Sequence, residues 1–401
     1  MPFQAYRRVL ANPGVPTSIA LLFGARVPAA AMGLTLTLHI VSALDVGYGA
    51  AGLVGTAATA GNALGSPLLG RLIDRKGLRT TLALAGVAST GYWLAAPHLH
   101  YTVLLLITLP AGVLTVPAGS ISRQVLTALV PQQHRRSAYS MDSIAAEISY
   151  MTGPAAGVLI TTQFGSQLAL SAIGIAFGTL AAILILVNPP VRSRAESAAP
   201  AKARPPVRSW LRIPLVATLL IACGTMFVLV GTELATLASL RATGDVAWTG
   251  LVIMVMCAAS LVGGLLHGGV PRSLSQAQLM LLLAVLVLPV GLVTDPWWLL
   301  AVVLIPTNLA CAPTLSATTE RISVLTPPAA RGEAMGLQDS ATRIGLSLGN
   351  PVIGFVIDHS TPAWGFAASG AGGLLLAMGA WLLHGRRSNP ARETTVTHAS
   401  R

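Results

Sequence analysis

Apolar residues in the 401-residue chain gather in blocks of about twenty, broken by glycine, proline and clusters of charge. A helix that crosses a bilayer needs about 20 mostly apolar residues at about 1.5 Å rise each. By that ruler the pattern predicts twelve spans, at approximately 17–44, 49–70, 80–97, 102–122, 137–160, 166–188, 213–240, 247–268, 276–294, 297–318, 334–357 and 362–384. The ten-residue alternation of a transmembrane β-barrel is absent. Between Pro189 and Trp210 the composition turns abruptly to Pro, Ala and Arg. This stretch reads as a flexible linker, or as a basic strip on anionic headgroups. It divides the chain into an N-terminal six-helix half (1–188), a linker (189–211), a C-terminal half (212–385) and a tail (386–401). Arg7 and Arg8 before the first span resemble a signal peptide. The apolar stretch is too long for one and eleven more follow, so it is expected to stay uncleaved.

Composition narrows the class. Only 9% of residues are charged and 53% are hydrophobic, whereas a soluble domain carries about a quarter of its residues as charges. A water-soluble enzyme, a disordered chain, a coiled coil and a collagen are all excluded. The net charge of +12 would point to nucleic acid in a soluble protein. Here its distribution sets topology instead. With the N-terminus inside, 22 of the 25 basic residues fall in inside segments, including Arg123, Arg136, Arg272, Arg321, Arg331 and Arg386. Asp45, Asp245, Asp295 and Asp358 fall outside. The positive-inside rule then predicts a multi-pass membrane protein with both termini cytoplasmic, and the plasma (inner) membrane is the expected location. Cys223, Cys257 and Cys311 sit in apolar runs without CxxC spacing, which predicts neither a disulfide framework nor a metal site.

The halves repeat. Asp142-Ser143, ten residues, then Pro154-xx-Gly157 recurs as Asp339-Ser340, ten residues, then Pro351-xx-Gly354, an offset of 197. Gly52-Leu53-Val54 recurs at Gly250-Leu251-Val252, with Gly65 and Gly70 meeting Gly263 and Gly268 at offset 198. Parallel repeats of six helices are a transporter architecture with the substrate site between them near the midplane.

The loop after the second span reads Gly70-Arg71-Leu72-Ile73-Asp74-Arg75-Lys76-Gly77-Leu78-Arg79. It resembles the G-x-L-x-D-R-x-G-R/K signature of the major facilitator superfamily, and the twelve spans, the two halves and the central linker extend the resemblance over the whole chain. Gly70 and Gly77 allow a tight turn and a close approach, and Asp74 can cap a helix N-terminus. The resemblance implies an all-α membrane fold of two pseudo-symmetric six-helix bundles. It also implies a conformational latch at Gly70, Asp74, Arg75, Gly77 and Arg79 that holds the outward-open state. The counterpart from Gly263 to Arg272 has glycines but no acid, so any latch is asymmetric. In span five, Ala145-xxx-Ser149-xxx-Gly153-Pro154-xx-Gly157 resembles in part the Gly-Pro signature of the superfamily's proton-coupled exporters. Ordinary tight packing by Gly153, Pro154 and Gly157 is the alternative, and Pro351 and Gly354 repeat it in span eleven.

Ionisable residues inside spans are the sharpest pointers to function. Glu147 in span five lies about 15 Å deep, and Arg26 in span one and Arg343 in span eleven about 14 Å. Matching depth predicts an Arg26–Glu147 pair, either a proton switch or a static ion pair. Asp339 and Arg343, spaced i,i+4, can neutralise one another. Asp142 and Asp339 read as gate or capping residues, or as proton carriers. Proton coupling is assigned to Glu147, Arg26 and Asp142. Substrate binding is assigned to Arg26, Glu147, Glu233, Asn308 and Arg343, with Glu233 at the outer mouth. His39 is a weaker candidate.

No Walker sequence or HExxH occurs in the chain, and the single GxSxG run, Gly345 to Gly349, lies inside span eleven and not at the strand-to-helix turn of a nucleophile elbow. No enzyme activity, metal or cofactor is expected, and the driving force is a proton gradient. The expected activity is antiport export of a small amphipathic molecule or drug. The alternative is a proton symporter importing a small organic anion. A lipid-modifying enzyme or sensor and a passive channel are rivals from other classes. The expected partners are a small-molecule substrate, protons and membrane lipid, without nucleic acid, and the chain is expected to act as a monomer.

Overall fold

The computed structural model describes residues 2–198, 205–270 and 273–385. Lys202, Arg204, Arg272 and the 386–401 tail, with its four arginines, lie outside the described residues. Each of the twelve spans is helical. Single helices form spans one (Val15–Ser42), two (Tyr48–Lys76), three (Leu78–Ala95), five (Arg135–Phe164) and six (Ser166–Val187). The same holds for spans seven (Ile213–Ala242), eight (Thr249–Gly269), eleven (Arg331–Asp358) and twelve (Pro362–Gly385). Span nine is Gln276–Val287 continued by a 3-10 stretch, Leu288–Leu292. Among the described residues, seven helical stretches are long and apolar enough to cross a membrane on length and composition alone, and Gln276–Leu292 of span nine is apolar but shorter.

Spans four and ten depart from the expected single helices. Span four breaks between Tyr101–Val113 and Ala118–Leu129, and span ten between Trp297–Asn308 and Cys311–Leu325. The breaks are equivalent in the repeat, which explains the Gly65/Gly263 match. Gly65 of span two abuts the carbonyl of Val113, and Gly263 of span eight abuts that of Leu309, so a Cβ at either glycine would strike backbone. Irregular backbone at membrane depth is tolerated where protein buries it. Span four also runs further than predicted, which brings Arg123 into a helix rather than a loop.

Each half has its own apolar core. Leu22, Ile40, Leu82, Leu104 and Phe177 belong to the first, and Val228, Met280, Leu283, Leu300 and Phe366 to the second. Leu106, Ile175, Leu186, Phe355 and Trp381 stand exposed on the outside, where lipid rather than water would cover them. Among the described residues no apolar core cluster spans both halves, and glycine and small polar residues bring the halves close along two helix pairs. In one, Gly70 of span two abuts Gly332 of span eleven, and Gly336 abuts Ser66 and Pro67. In the other, Gly268 of span eight abuts Ser140 of span five. Such an interface can part without exposing a core.

An N-terminal helix (Pro2–Leu10) and two linker helices (Arg194–Ala198, Val207–Trp210) lie on one face, called the linker face below. The described parts of the linker are partly helical, where the composition predicts a flexible strip. Ser193 and Glu196 cap one another at the start of the first linker helix, with backbone-to-side-chain distances of 2.9 and 3.2 Å. Trp210 is buried with Leu215, Ile322 and Met335 of the second half.

Candidate functional site at the interface between the halves

The residues expected to form the latch lie at the linker-face end of the pair of spans two and eleven. Span eleven starts at Arg331, and its N-cap position is Ala330, which has no side-chain oxygen to satisfy the first N–H groups. Asp74 of the other half supplies the cap. Its two carboxylate oxygens accept from the backbone N–H of Gly332 and of Glu333, each at 3.0 Å. A carboxylate at a helix N-terminus also meets the positive end of the helix dipole. The bare backbone of Gly70 against Gly332 lets Asp74 come this close. Of the other latch residues, Arg75 is exposed, and Arg79 donates from Nε to the Ile185 carbonyl of span six at 3.1 Å. Arg75, about 100° further round the helix than Asp74, makes no ion pair or hydrogen bond among the described residues.

Two ion pairs cross the interface behind the latch. Arg123 of span four pairs with Asp339 of span eleven and also donates to the Met335 carbonyl at 3.4 Å. Arg136 of span five pairs with Glu320 of span ten at 3.1 Å. In the repeat, Arg123 of span four corresponds to Glu320 of span ten by the offset of 197. The two clamps therefore exchange span numbers (four to eleven, ten to five) with opposite polarity. Neither partner of Arg123 or Arg136 was foreseen, because these arginines read as topology-setting loop charges. The Asp339–Arg343 pair expected from i,i+4 spacing does not form. Such a pair along one helix adds only about 0.2–0.5 kcal/mol, and Asp339 faces a guanidinium on the opposite half.

Hydroxyls and the N-terminal helix close the linker face further. Ser137 donates to the Gly268 carbonyl at 2.5 Å and Ser340 to the Ala63 carbonyl at 2.5 Å. Tyr6 donates to the Leu265 carbonyl at 2.7 Å. Burial pushes the Tyr6 hydroxyl up to about 12, so it stays a donor across the physiological range. Val9, one turn on, is buried against Leu126, Val130 and Tyr139 of the first half. The linker joins here too, as Glu196 takes a forked contact from Arg331 at 3.1 and 3.3 Å.

Deeper in the interface the predicted Arg26–Glu147 pair is replaced by two separate contacts. Arg26 Nη2 meets Asp142 Oδ1 at 2.7 Å, and its Nη1 donates to the Asp142 carbonyl at 2.9 Å. Ser122 donates to the same Oδ1. Glu147 instead accepts from the Ser260 hydroxyl of span eight at 2.8 Å. Glu147 matches Arg26 in depth but not in direction. Five residues at 3.6 per turn set Asp142 and Glu147 roughly 140° apart around span five. Asp142 thus faces span one, inside its own half, and Glu147 faces the other half.

Glu233 of span seven is half-buried and lies within electrostatic range of Glu147, as do Cys257 and Cys311. Arg343 is half-buried and makes no hydrogen bond or ion pair among the described residues. It shares the helix face of Gly336, Asp339 and Ser340, all of which meet the first half. Asn308 is buried beside the break in span ten and donates to the Leu304 carbonyl of its own helix at 2.9 Å. His39 is buried with Nδ1 2.9 Å from the Ser166 hydroxyl, inside the first half. Gly153 abuts Val27 and Ala30 of span one, and Gly157 abuts Thr35. No cluster of three or more His, Cys, Asp or Glu able to hold a metal occurs among the described residues.

The family model of the Major Facilitator Superfamily matches residues 18–274 and 271–400. No curated protein matches the sequence. Among solved structures, the proton:xylose symporter XylE superposes with a TM-score of 0.69 at 15% identity, over 93% of this chain and 95% of that one. A bacterial homologue of the iron transporter ferroportin, in an outward-facing state, gives 0.71 at 15% identity over 93% and 99%. The human organic anion transporter MFSD10 gives 0.67 at 17% over 92% and 100%. At these identities the likeness is one of fold.

Proposed function

The chain belongs to the Major Facilitator Superfamily, as a multi-pass membrane transporter, and on that premise we propose that it exports a small amphipathic molecule in exchange for protons, with Glu147 as the proton site. The single observation that carries this reading is the Glu147–Ser260 hydrogen bond, which joins a carboxylate of one half to a donor of the other. When the halves rock and spans five and eight part, Glu147 loses that donor. A hydrogen bond to a carboxylate is one of the three factors that set its proton affinity. The affinity of Glu147 for a proton therefore depends on which way the transporter faces, the requirement for coupling. Arg26 and Asp142, bound to one another within one half, keep their environment during rocking and act as structure.

The linker face is read as cytoplasmic, because it collects the arginines of the N-terminal helix, the loop after span two and the linker. The latch and both ion-pair clamps then hold the cytoplasmic side shut, and the described state faces outward. The plasma membrane, a monomeric state and the absence of any cofactor other than the gradient belong to this reading. A second reading, uptake of a small organic anion, is favoured by one observation only, the unpaired Arg343 on the interface side of span eleven.

In proteoliposomes, Glu147→Gln should abolish proton-driven accumulation while leaving substrate exchange largely intact. Unchanged coupling in that variant removes Glu147 as the proton site. Counterflow against a gradient of unlabelled substrate separates a transporter from a channel, which cannot perform it.

A further inference from the structure

On the linker face, where spans two, three and six end, a depression of about 440 Å³ opens beside the latch. Its walls include Arg75, Lys76, Gly77 and Arg79 from the turn between spans two and three, and Asn188 and Arg192 from the start of the linker. Two of the cations are held in place by backbone. Arg79 donates from Nε to the Ile185 carbonyl at 3.1 Å, and Arg192 from Nη2 to the Asp74 carbonyl at 2.8 Å. Each keeps the rest of its guanidinium fork free, and fixing a donor in advance lowers the entropy cost of binding. Arg75 and Lys76 make no ion pair or hydrogen bond among the described residues. The one acid in the wall, Asp74, turns its carboxylate away to Gly332 and Glu333.

Two left-handed residues shape the pocket floor, Gly77 at φ 84° and Asn188 at φ 44°. Gly77 stands at the N-cap of span three without a side-chain cap, leaving the first N–H groups of that helix, at Leu78 and Arg79, without one beside the cations. Four cations, amide donors and a volume that fits a phosphate ester together describe an anion receptor. It sits at the membrane end of three spans, the level at which headgroups lie.

We propose that this pocket binds a phosphate group, and that through Arg192 and the Asp74 carbonyl its occupancy bears on the latch. Phosphate chemistry has two sources here, the headgroup of an anionic phospholipid and free phosphate in the aqueous phase. Neither depends on which substrate is carried or in which direction.

The test uses the full-length protein in phosphatidylcholine nanodiscs. One arm adds phosphatidylglycerol to the bilayer, and the other adds inorganic phosphate to pure phosphatidylcholine discs. Hydrogen exchange of the Leu78–Thr80 amides reads occupancy of the unaltered protein, and native mass spectrometry counts retained lipid. Saturable protection in the phosphatidylglycerol arm assigns the headgroup, and protection only in the phosphate arm assigns the soluble ion. The double variant Lys76→Gln, Arg192→Gln removes two charge-assisted contacts and should weaken either association about tenfold or more. Equal affinity in the double variant, or no saturable protection in either arm, overturns the proposal. The measurement on the unaltered protein decides the second point even if the variant folds poorly.

Discussion

Replacing Asp74 by Asn tests the latch with the least change of shape. The carboxylate caps two N–H groups of a 28-residue helix whose own N-cap residue is alanine. Asparagine keeps one acceptor oxygen and loses the other, together with the charge that meets the helix dipole. A charge at a helix N-terminus contributes about 0.3–1 kcal/mol. A hydrogen bond to a charged group contributes about 1.5–3 kcal/mol, of which the neutral amide recovers a part. The substitution should therefore cost the closed linker face about 1–2 kcal/mol, a five- to thirtyfold shift between closed and open states. Both N–H groups become exposed only when the face opens, so the cost falls on that equilibrium and not on the folding of either half. Spin labels at the exposed positions Thr80 and Val324, with Cys223, Cys257 and Cys311 replaced, report the separation of the halves. The longer-distance population should grow severalfold, and turnover should fall more than substrate affinity. An unchanged distribution in both Asp74→Asn and Asp74→Ala, or affinity falling more than turnover, would refute the latch.

Two further outcomes follow from the contacts. Asp142→Leu leaves the Arg26 guanidinium, whose side chain is 11% exposed, without its counter-charge, and should cost about 3–5 kcal/mol of stability. Adding Arg26→Met should recover most of the loss in melting temperature, and a double variant as unstable as the single one rejects the pair as structural. Burial raises the Glu196 carboxyl, but hydrogen bonds from Arg331 and the Ser193 amide outweigh it and hold the group below its usual range. Docking of the linker on span eleven is thus present at neutral pH and is lost as pH falls below the ordinary glutamate value of about 4.3. Hydrogen exchange of residues 193–198 should rise below that value, and a rise already between pH 7 and 5 contradicts the assignment.

The twelve spans, the division into halves and the face that collects the arginines follow from the sequence alone. Each is a property of one segment or of a count along the chain. The bilayer demands about twenty apolar residues per helix, so the signal is strong and local. The repeat was legible for a similar reason, since Gly65 and Gly263 must each let a broken helix approach. The breaks themselves were not read, because an apolar run keeps its composition when its axis bends.

Partnership was decided by tertiary structure. Depth along a helix can be counted from sequence, whereas the direction of a side chain matters only against neighbours whose positions the sequence does not give. Arg26 and Glu147 agree in depth but face different helices, and Arg123 and Arg136, topology charges by their place in the sequence, clamp the two halves. The acid of the loop motif was visible in sequence. That it caps a helix beginning more than 250 residues later, with Ala330 at its N-cap, needed the two halves brought together.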